Sequence, residues 1–336
     1  MAYTERYTTV AGGGAHDGTS EANAWTWAEM RVVSHSPGDK INIKAGSYGT
    51  VTGFTSPAGD ATQQIIYSGY NSVIDDLDNQ GNNADGSLNT TNFPTITLSS
   101  IITPAVFNVF QNLLISASLT TAPIYTTAND GWCIKSCLII QTGTGYGVRG
   151  DNAVALIGAT FRCTNTSHNT VADFDRFPSI QGCRFEGTEA GAILLNFEDG
   201  VVDGNAFSGP SDAIAITFTG NSALTTIKNN TVYGCGTAIR LPNIAVAFPA
   251  VIMNNHITDN AVYIDNPYSA TANNVCLEVN NRTRDNTVAR TGIGDNLRVG
   301  EVTTDTGGWA TDYVDAPNGD ITLIPAAPAI DSGLGM

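Results

Sequence analysis

The chain has 336 residues, of which 14% are charged, and its 31 acidic side chains against 15 basic ones give a formal net charge of −16 at pH 7. Nucleic-acid binding needs a basic face for the phosphates and is excluded on that balance, while a polyanionic substrate would require a bridging cation. No stretch reaches transmembrane length, and the opening Met1-Ala-Tyr-Thr-Glu-Arg-Tyr7 lacks the apolar core of a secretory signal, so the expected location is a virion surface or the extracellular space, with no membrane partner.

In chain order, Asn23–Val33 is the one clear helix candidate. Trp25, Ala28 and Val32 share a face, Asn23 stands where an N-cap is wanted, and Ser36-Pro37-Gly38 stops it. Asp39–Tyr48, with alternating Ile41 and Ile43, reads as the first strand, and the helix before it is expected to cover the open end of a sheet. Between Asp75 and Asn92 an acidic, Asn-rich stretch interrupts the pattern. Asp76, Asp78, Gln80 and Gly81 loosely imitate the start of a calcium loop, but Ser87 stands where a bidentate Glu belongs, so Ca2+ is a candidate ligand and a solvated excursion the plainer reading.

From Trp132 to Asn260 one phrase keeps returning: apolar, any, Gly/Asn/Ser, Cys/Asn, any, apolar. Its copies start at Ile134, Ile180, Val202, Ile227 and Ile252, with a weaker one at Leu156 and an earlier one at Val109, at steps of 22 to 25 residues. A period of this length with β-branched strands and Asn or Gly bends predicts an all-β right-handed parallel β-helix, one coil per repeat. A second row, Gly147-Val148, Thr170-Val171, Ala192-Ile193, Ala213-Ile214, Ala238-Ile239 and Ala261-Val262, predicts another strand per coil. The expected organisation is a cap and first strand over 1–48, coils over 49–300 and a closing segment over 301–336. Leu277 continues the spacing, Arg282 falls where an apolar residue belongs, and Trp309 and Tyr313 are candidates for closing the second end.

The phrase's fourth place is read as a stacking ladder of Asn112, Cys137, Cys183, Asn205, Asn230 and Asn255, with amides bonding from coil to coil and Cys filling the same space. Six cysteines invite a disulfide reading, but Cys137 and Cys183 lie two coils apart, and Cys133 with Cys137 has no second pair to make a zinc site.

Asp17-Gly-Thr-Ser, Asn23-Ala-Trp, Pro37-Gly-Asp and Ala45-Gly-Ser-Tyr48, with the tail Ile321-Thr-Leu-Ile-Pro-Ala-Ala-Pro-Ala-Ile-Asp-Ser-Gly333, resemble the opening and closing signatures of right-handed parallel β-helix proteins of the pectate-lyase-like superfamily. The resemblance implies the fold. It leaves function open, because such proteins include polysaccharide lyases, glycoside hydrolases, phage tailspikes and catalytically silent members.

Candidate chemistry gathers after the second row. Arg149 and Asp151, then Asp173, Asp175 and Arg176, then Glu198 and Asp199 supply carboxylates for the acid and base of a hydrolase, or a base and Ca2+ ligands for a lyase. Surface ion pairs and turn-capping account for them equally well. The motifs of β-helix polygalacturonases are absent: Gly209–Ile216 has one Asp where two are needed, and His16, His35, His168 and His256 include no Gly-His-Gly. His168 and His256 read as turn or surface residues. The face through Arg149, Ala172, Leu194, Ala215, Arg240 and Tyr263 is expected to point outward, and its strip at Leu194 and Ala215 to pack between the subunits of a homotrimer. The favoured reading is a structural or adhesive β-helix protein of a phage virion surface, such as a capsid decoration, head fibre or tail spike, with its own copies, other virion proteins and a surface glycan as partners and no required cofactor. The alternative is a secreted polysaccharide lyase or glycoside hydrolase acting on a glycan along one face, and a non-catalytic glycan-binding module is the third.

Overall fold

The structure, a computed structural model, describes residues 2–78, 83, 88–126, 131–164, 170–176, 178–218, 225–241, 250–265, 276–279, 281–284, 286–291, 297–299, 313–315 and 320–323. Gln80, Gly81, Ser87, His168, Trp309 and residues 324–333 of the tail lie outside them, as do the side chains of Cys276 and Tyr313. The chain is an all-β right-handed parallel β-helix whose coils each contribute strands to three sheets. It divides into two compact units, Met1–Asn82 with Leu88–Ser167, and Asn83–Ser87 with His168–Met336.

In unit 1 the first sheet takes Thr4–Thr8, Asp39–Lys44, Ile65–Tyr70, Asn108–Gln111, Cys133–Lys135 and Ala155–Ile157 in parallel order. The second takes Gly46–Val51, Pro94–Leu98, Leu114–Ala117, Leu138–Gln141 and Thr160–Cys163, and the third Ile124–Tyr125 and Val148–Asn152. Parallel register places like over like. Ile41, Tyr67, Phe110, Ile134 and Leu156 form one inward column, and Ile96, Ile115, Ile139 and Phe161 another, all essentially buried. Tyr67 lies over Phe110 with centroids 5.0 Å apart and planes within 8°. Each such side chain contributes about 1.5–3 kcal/mol of burial, so the columns are the main source of stability.

The N-terminal cap differs from expectation. Thr4–Thr8 precedes Asp39–Lys44 as the first strand, and its outer edge is closed by chain: the Tyr7 N–H donates to the Gly18 carbonyl at 3.0 Å, and the Trp25 N–H to the Tyr7 carbonyl at 2.9 Å. The α-helix is only Trp27–Met30. Thr26, not Asn23, caps it, because Thr26 and Glu29 form a reciprocal capping box, whereas Asn23 accepts the Ala15 N–H at 3.1 Å. Trp27 and Met30 are buried; Ala28 is exposed and Val32 is 69% exposed, so the predicted face is the wrong one.

In unit 2 the first sheet takes Ser179–Gln181, Val201–Asp203, Thr225–Lys228, Ala250–Met253, Cys276–Val279 and Leu297–Val299. The second takes Arg184–Gly187, Ala206–Ser208, Thr231–Tyr233, His256–Thr258 and Arg282–Arg284, and the third Thr170–Arg176, Ile193–Phe197, Ile214–Phe218, Thr237–Arg240, Val262–Asp265 and Val288–Thr291. Tyr313–Asp315 and Asp320–Leu323 form a separate antiparallel pair. The inward column Ile180, Val202, Ile227, Ile252 ends in Glu278, not Leu277, because the last step is one residue longer than the two before it. Glu278 is 2% exposed and accepts the Tyr263 hydroxyl at 3.2 Å. The same shift sets Arg282 beside His256 and Thr283 beside Ile257.

The recurring phrase is a turn between the first and second sheets. Its third place is left-handed in all seven copies of the phrase: Asn112 (φ 58°), Ser136 (50°) and Gly158 (58°) in unit 1, and Gly182 (61°), Gly204 (65°), Asn229 (56°) and Asn254 (53°) in unit 2, where Gly and Asn are least strained. Asn112 therefore belongs to this strained row and not to the ladder, since Phe110, not Val109, is the register mate of Ile134. The fourth place points inward. In unit 2 the Cys183 N–H donates to Asn205 Oδ1 at 2.8 Å, the Asn205 N–H to Asn230 Oδ1 at 2.9 Å, the Asn230 N–H to Asn255 Oδ1 at 3.0 Å, and the Asn255 N–H to Asn281 Oδ1 at 3.0 Å. In unit 1 the same place holds Leu113, Cys137 and Ala159, all buried.

Replacing Asn230 by Leu strands the Asn205 N–H and the Val202 carbonyl, and is expected to lower stability by about 1–3 kcal/mol in denaturant melts. At Gly182 an added Cβ meets nothing within 4 Å, so Gly182→Ala reports backbone strain alone and is expected to cost about 1 kcal/mol, with Ser136→Gly gaining about as much.

Candidate functional site

The third sheet of unit 2 supplies the richest outward chemistry. Its interior is closed by Phe174, Phe197 and Phe218 and by Ala172, Leu195, Ile216, Ile239 and Ile264, all buried. Leu194, Ala215 and Tyr263, with Ala172, were expected to face outward; each is 0% exposed, because each strand bends and turns two successive residues into the core. The expected exposed apolar strip is thus absent.

The outward row instead reads Asp173, Asn196, Thr217, Arg240 and Asp265, one residue per coil and in direct register. Strand spacing sets its five rungs along about 19 Å. Asn196 Nδ2 donates to Asp173 Oδ1 at 2.7 Å, and Arg240 Nε to Asp265 Oδ2 at 3.1 Å. Asp173 is buried, while Asn196, Thr217, Arg240 and Asp265 are partly open to solvent. Beside the row, Arg176 reaches Glu198 at 3.4 Å, Asp175 is exposed, and Asp199 is buried in a left-handed turn at φ 43°. The structure therefore brings Asp173, Asp175, Arg176 and Glu198 to one edge of the row. Asn196, Thr217 and Asp265 were missed by sequence reasoning, because the strand spacing that picked out Arg240 set Leu194, Ala215 and Tyr263 in its row.

Arg149 and Asp151 belong to unit 1. The Arg149 guanidinium lies over Tyr125 at 5.6 Å and Tyr146 at 5.1 Å from the ring centroids, an aromatic clamp invisible in the sequence. Asp151 is half-buried. The calcium-loop candidates are engaged elsewhere. Asp76 accepts the N–H groups of Asn71, Ser72 and Val73 at 2.8, 2.7 and 3.1 Å. Burial opposes its ionisation, but these donors outweigh it and hold the carboxyl below its usual value. Asp78 accepts Asn112 Nδ2 at 2.5 Å.

Other depressed carboxylates have the same structural cause: the Thr19 hydroxyl lowers Asp17, the Thr62 hydroxyl lowers Asp60, the Thr26 N–H lowers Glu29, and the Lys44 ammonium lowers Glu21. Cys133, Cys137, Cys163, Cys183 and Cys235 are free thiols, and burial pushes Cys133 up to about 11 and Cys137, Cys163 and Cys235 up to about 12. His256, expected at a turn or surface, is buried in a strand with Nε2 3.1 Å from Thr258 Oγ1, and His16 pairs with Glu29 at 2.9 Å. Among the described residues no helix is long and apolar enough to cross a membrane.

Among solved structures, pectate lyase Pel9A matches with a TM-score of 0.59 over 97% of this chain and 88% of its own, at 13% identity. A GH136 lacto-N-biosidase from Eubacterium ramulus matches with a TM-score of 0.46 at 12% identity over 88% and 67%, and a PL6 family polysaccharide lyase from Pseudopedobacter saltans with 0.45 at 15% over 78% and 76%. At such identities the likeness is one of fold. A search among curated proteins finds no match. The family model described as periplasmic copper-binding protein (NosD) matches residues 108–288, more than half of the chain, and the chain belongs to that family.

Proposed function

We propose that the protein holds an extended, uncharged glycan along the outward row of the third sheet in unit 2, in the periplasm or outside the cell. The observation that carries this reading is the row itself: Asp173, Asn196, Thr217, Arg240 and Asp265 present carboxylate, amide, hydroxyl and guanidinium groups one coil apart, a spacing close to one sugar ring. Such a mixture pairs with hydroxyl groups in both donor and acceptor roles. The net charge of −16 disfavours a polyanionic chain.

Hydrolysis fits the row better than elimination. A lyase needs a base that can take up a proton, and both guanidiniums at this surface are cations paired with carboxylates, Arg176 with Glu198 and Arg240 with Asp265. Asp173 and Glu198 stand one coil and two residues apart, about 8 Å by strand geometry, which suits an acid and a base working with water between them. In this reading Glu198, ion-paired with Arg176, activates the water, and Asp173 protonates the leaving oxygen. The virion reading loses its surface, because Leu194 and Ala215, the strip meant to pack between subunits, are buried.

The family's description carries copper, and the described residues do not fit a copper centre. No three of their His, Cys, Asp or Glu side chains converge on a metal-sized site. Cys137, Cys163 and Cys235 are separate buried thiols whose burial pushes them up to about 12, whereas a thiol binds metal as thiolate.

Incubation with neutral and acidic polysaccharides, with and without Ca2+, tests the reading. Neutral chains are expected to bind and to release reducing ends, without the ultraviolet-absorbing double bond an elimination leaves. Asp173→Asn and Glu198→Gln are expected to abolish release while retaining the chain, and Arg240→Ala to weaken binding about tenfold. Binding without release would reduce the protein to a glycan-binding module, and no binding to any chain would overturn the proposal.

A further inference from the structure

A second concave surface lies in unit 1, on the outer face of the first sheet, and has a different chemistry. Register aligns Ile66, Val109, Cys133 and Ala155 in one outward column and Gln111, Lys135 and Ile157 in the next. Gly131 and Ala153, in left-handed turns at φ 69° and 43°, begin the two strands in its middle. The small residues Gly131, Cys133, Ala153 and Ala155 line, with Ile66, Val109 and Ile157, a groove of about 440 Å3. Its outward side chains are aliphatic, and Trp132, the aromatic residue that also lines it, is fully buried, which suits an alkyl chain better than the face of a sugar. The column from Ile66 to Ala155 extends about 14 Å.

Lys135 stands at the wall of this groove. The chain has four lysines. Lys40, Lys44 and Lys228 are ion-paired with Asp75, Glu21 and Asp203. Among the described residues Lys135 has no carboxylate partner, in a chain with twice as many acids as bases. An unneutralised ammonium beside an aliphatic trough, with Gln64 at its edge, is complementary to a carboxylate carrying a hydrocarbon tail.

We propose that this groove binds a medium-chain aliphatic carboxylate, its tail along Ile66, Val109, Cys133 and Ala155 and its head on Lys135. The site is independent of the polar row in unit 2 and stands or falls without it.

Sodium octanoate, titrated calorimetrically into the whole protein, is the probe, with 1-octanol as its uncharged counterpart and galacturonate as a sugar acid. Octanoate is expected to bind, Lys135→Gln to weaken it about tenfold while leaving octanol unchanged, and Ala155→Leu, which fills the trough, to remove both. Unchanged melting of the two variants confirms that they fold. Octanoate that fails to bind, or binds Lys135→Gln as well as the parent, overturns the proposal. Galacturonate binding in place of octanoate also overturns it, in favour of a sugar site.

Discussion

Everything in this molecule depends on one requirement: each coil must lay its backbone in parallel register on the next, so every buried turn group has to find its partner one coil away. Within a sheet the ladder does this automatically. At the turn between the first and second sheets it does not, because the left-handed residue rotates the following N–H out of the ladder. In unit 2 the inward Asn solves the problem twice over. Its Oδ1 accepts the N–H of the residue one coil earlier, and its Nδ2 donates to a backbone carbonyl, as Asn230 does to Val202 and Asn255 to Ile227. Since a buried orphan costs about 1–3 kcal/mol, a row of such amides is a large share of a marginal stability. A second row of the same design, in which Asn260 accepts the Cys235 N–H and donates its own to Asn286, guards another turn.

The acidity of the chain follows from the same pressure. Many turns leave many backbone N–H groups unpaired, and carboxylates are efficient partners for them. Asp17 and Asp60 each close a loop over two or three residues, Asp76 closes one over three to five, and Glu29 completes the helix cap. Their lowered proton affinities mark structural carboxylates bound to fixed donors. Part of the negative charge is therefore scaffold, which is why acidic residues alone were a poor guide to chemistry.

This explains how unevenly the sequence could be read. The strand columns were legible because inward positions repeat in kind: Phe185 stacks on Phe207 with planes within 8°, and Ile227 lies beside Ile252. The Gly/Asn/Ser place was legible as a bend, although its left-handed geometry was not. Register was legible only to one residue. Val109 and Phe110 are both apolar, as are Val251 and Ile252, so a slip of one left the pattern intact while moving Asn112 into the ladder and putting Leu277 where Glu278 belongs. The bends in the third sheet broke strict alternation, and that error reversed the assignment of Leu194, Ala215 and Tyr263. The first strand was missed for a different reason: Thr4–Thr8 has no apolar alternation, since loop 12–25 and not the core covers its free edge.

Inward and outward columns are under opposite constraints, and function is written in the second kind. An inward column must repeat shape, so Phe174, Phe197 and Phe218 succeed one another with little information in the order. An outward column faces water and stacking alone would accept a run of Thr or Ser. The row Asp173, Asn196, Thr217, Arg240, Asp265 changes chemical type at every coil, yet each member stays in register with the next. Its two hydrogen-bonded pairs, Asp173 with Asn196 and Arg240 with Asp265, flank Thr217 and fix donors and acceptors at set heights. A surface kept polar only for solubility has no need of ordered heights. A polymer whose repeating units lie one per coil does, and the groove beneath Lys135 shows the opposite solution on the same kind of scaffold, small aliphatic residues in sequence with a single cation at the wall.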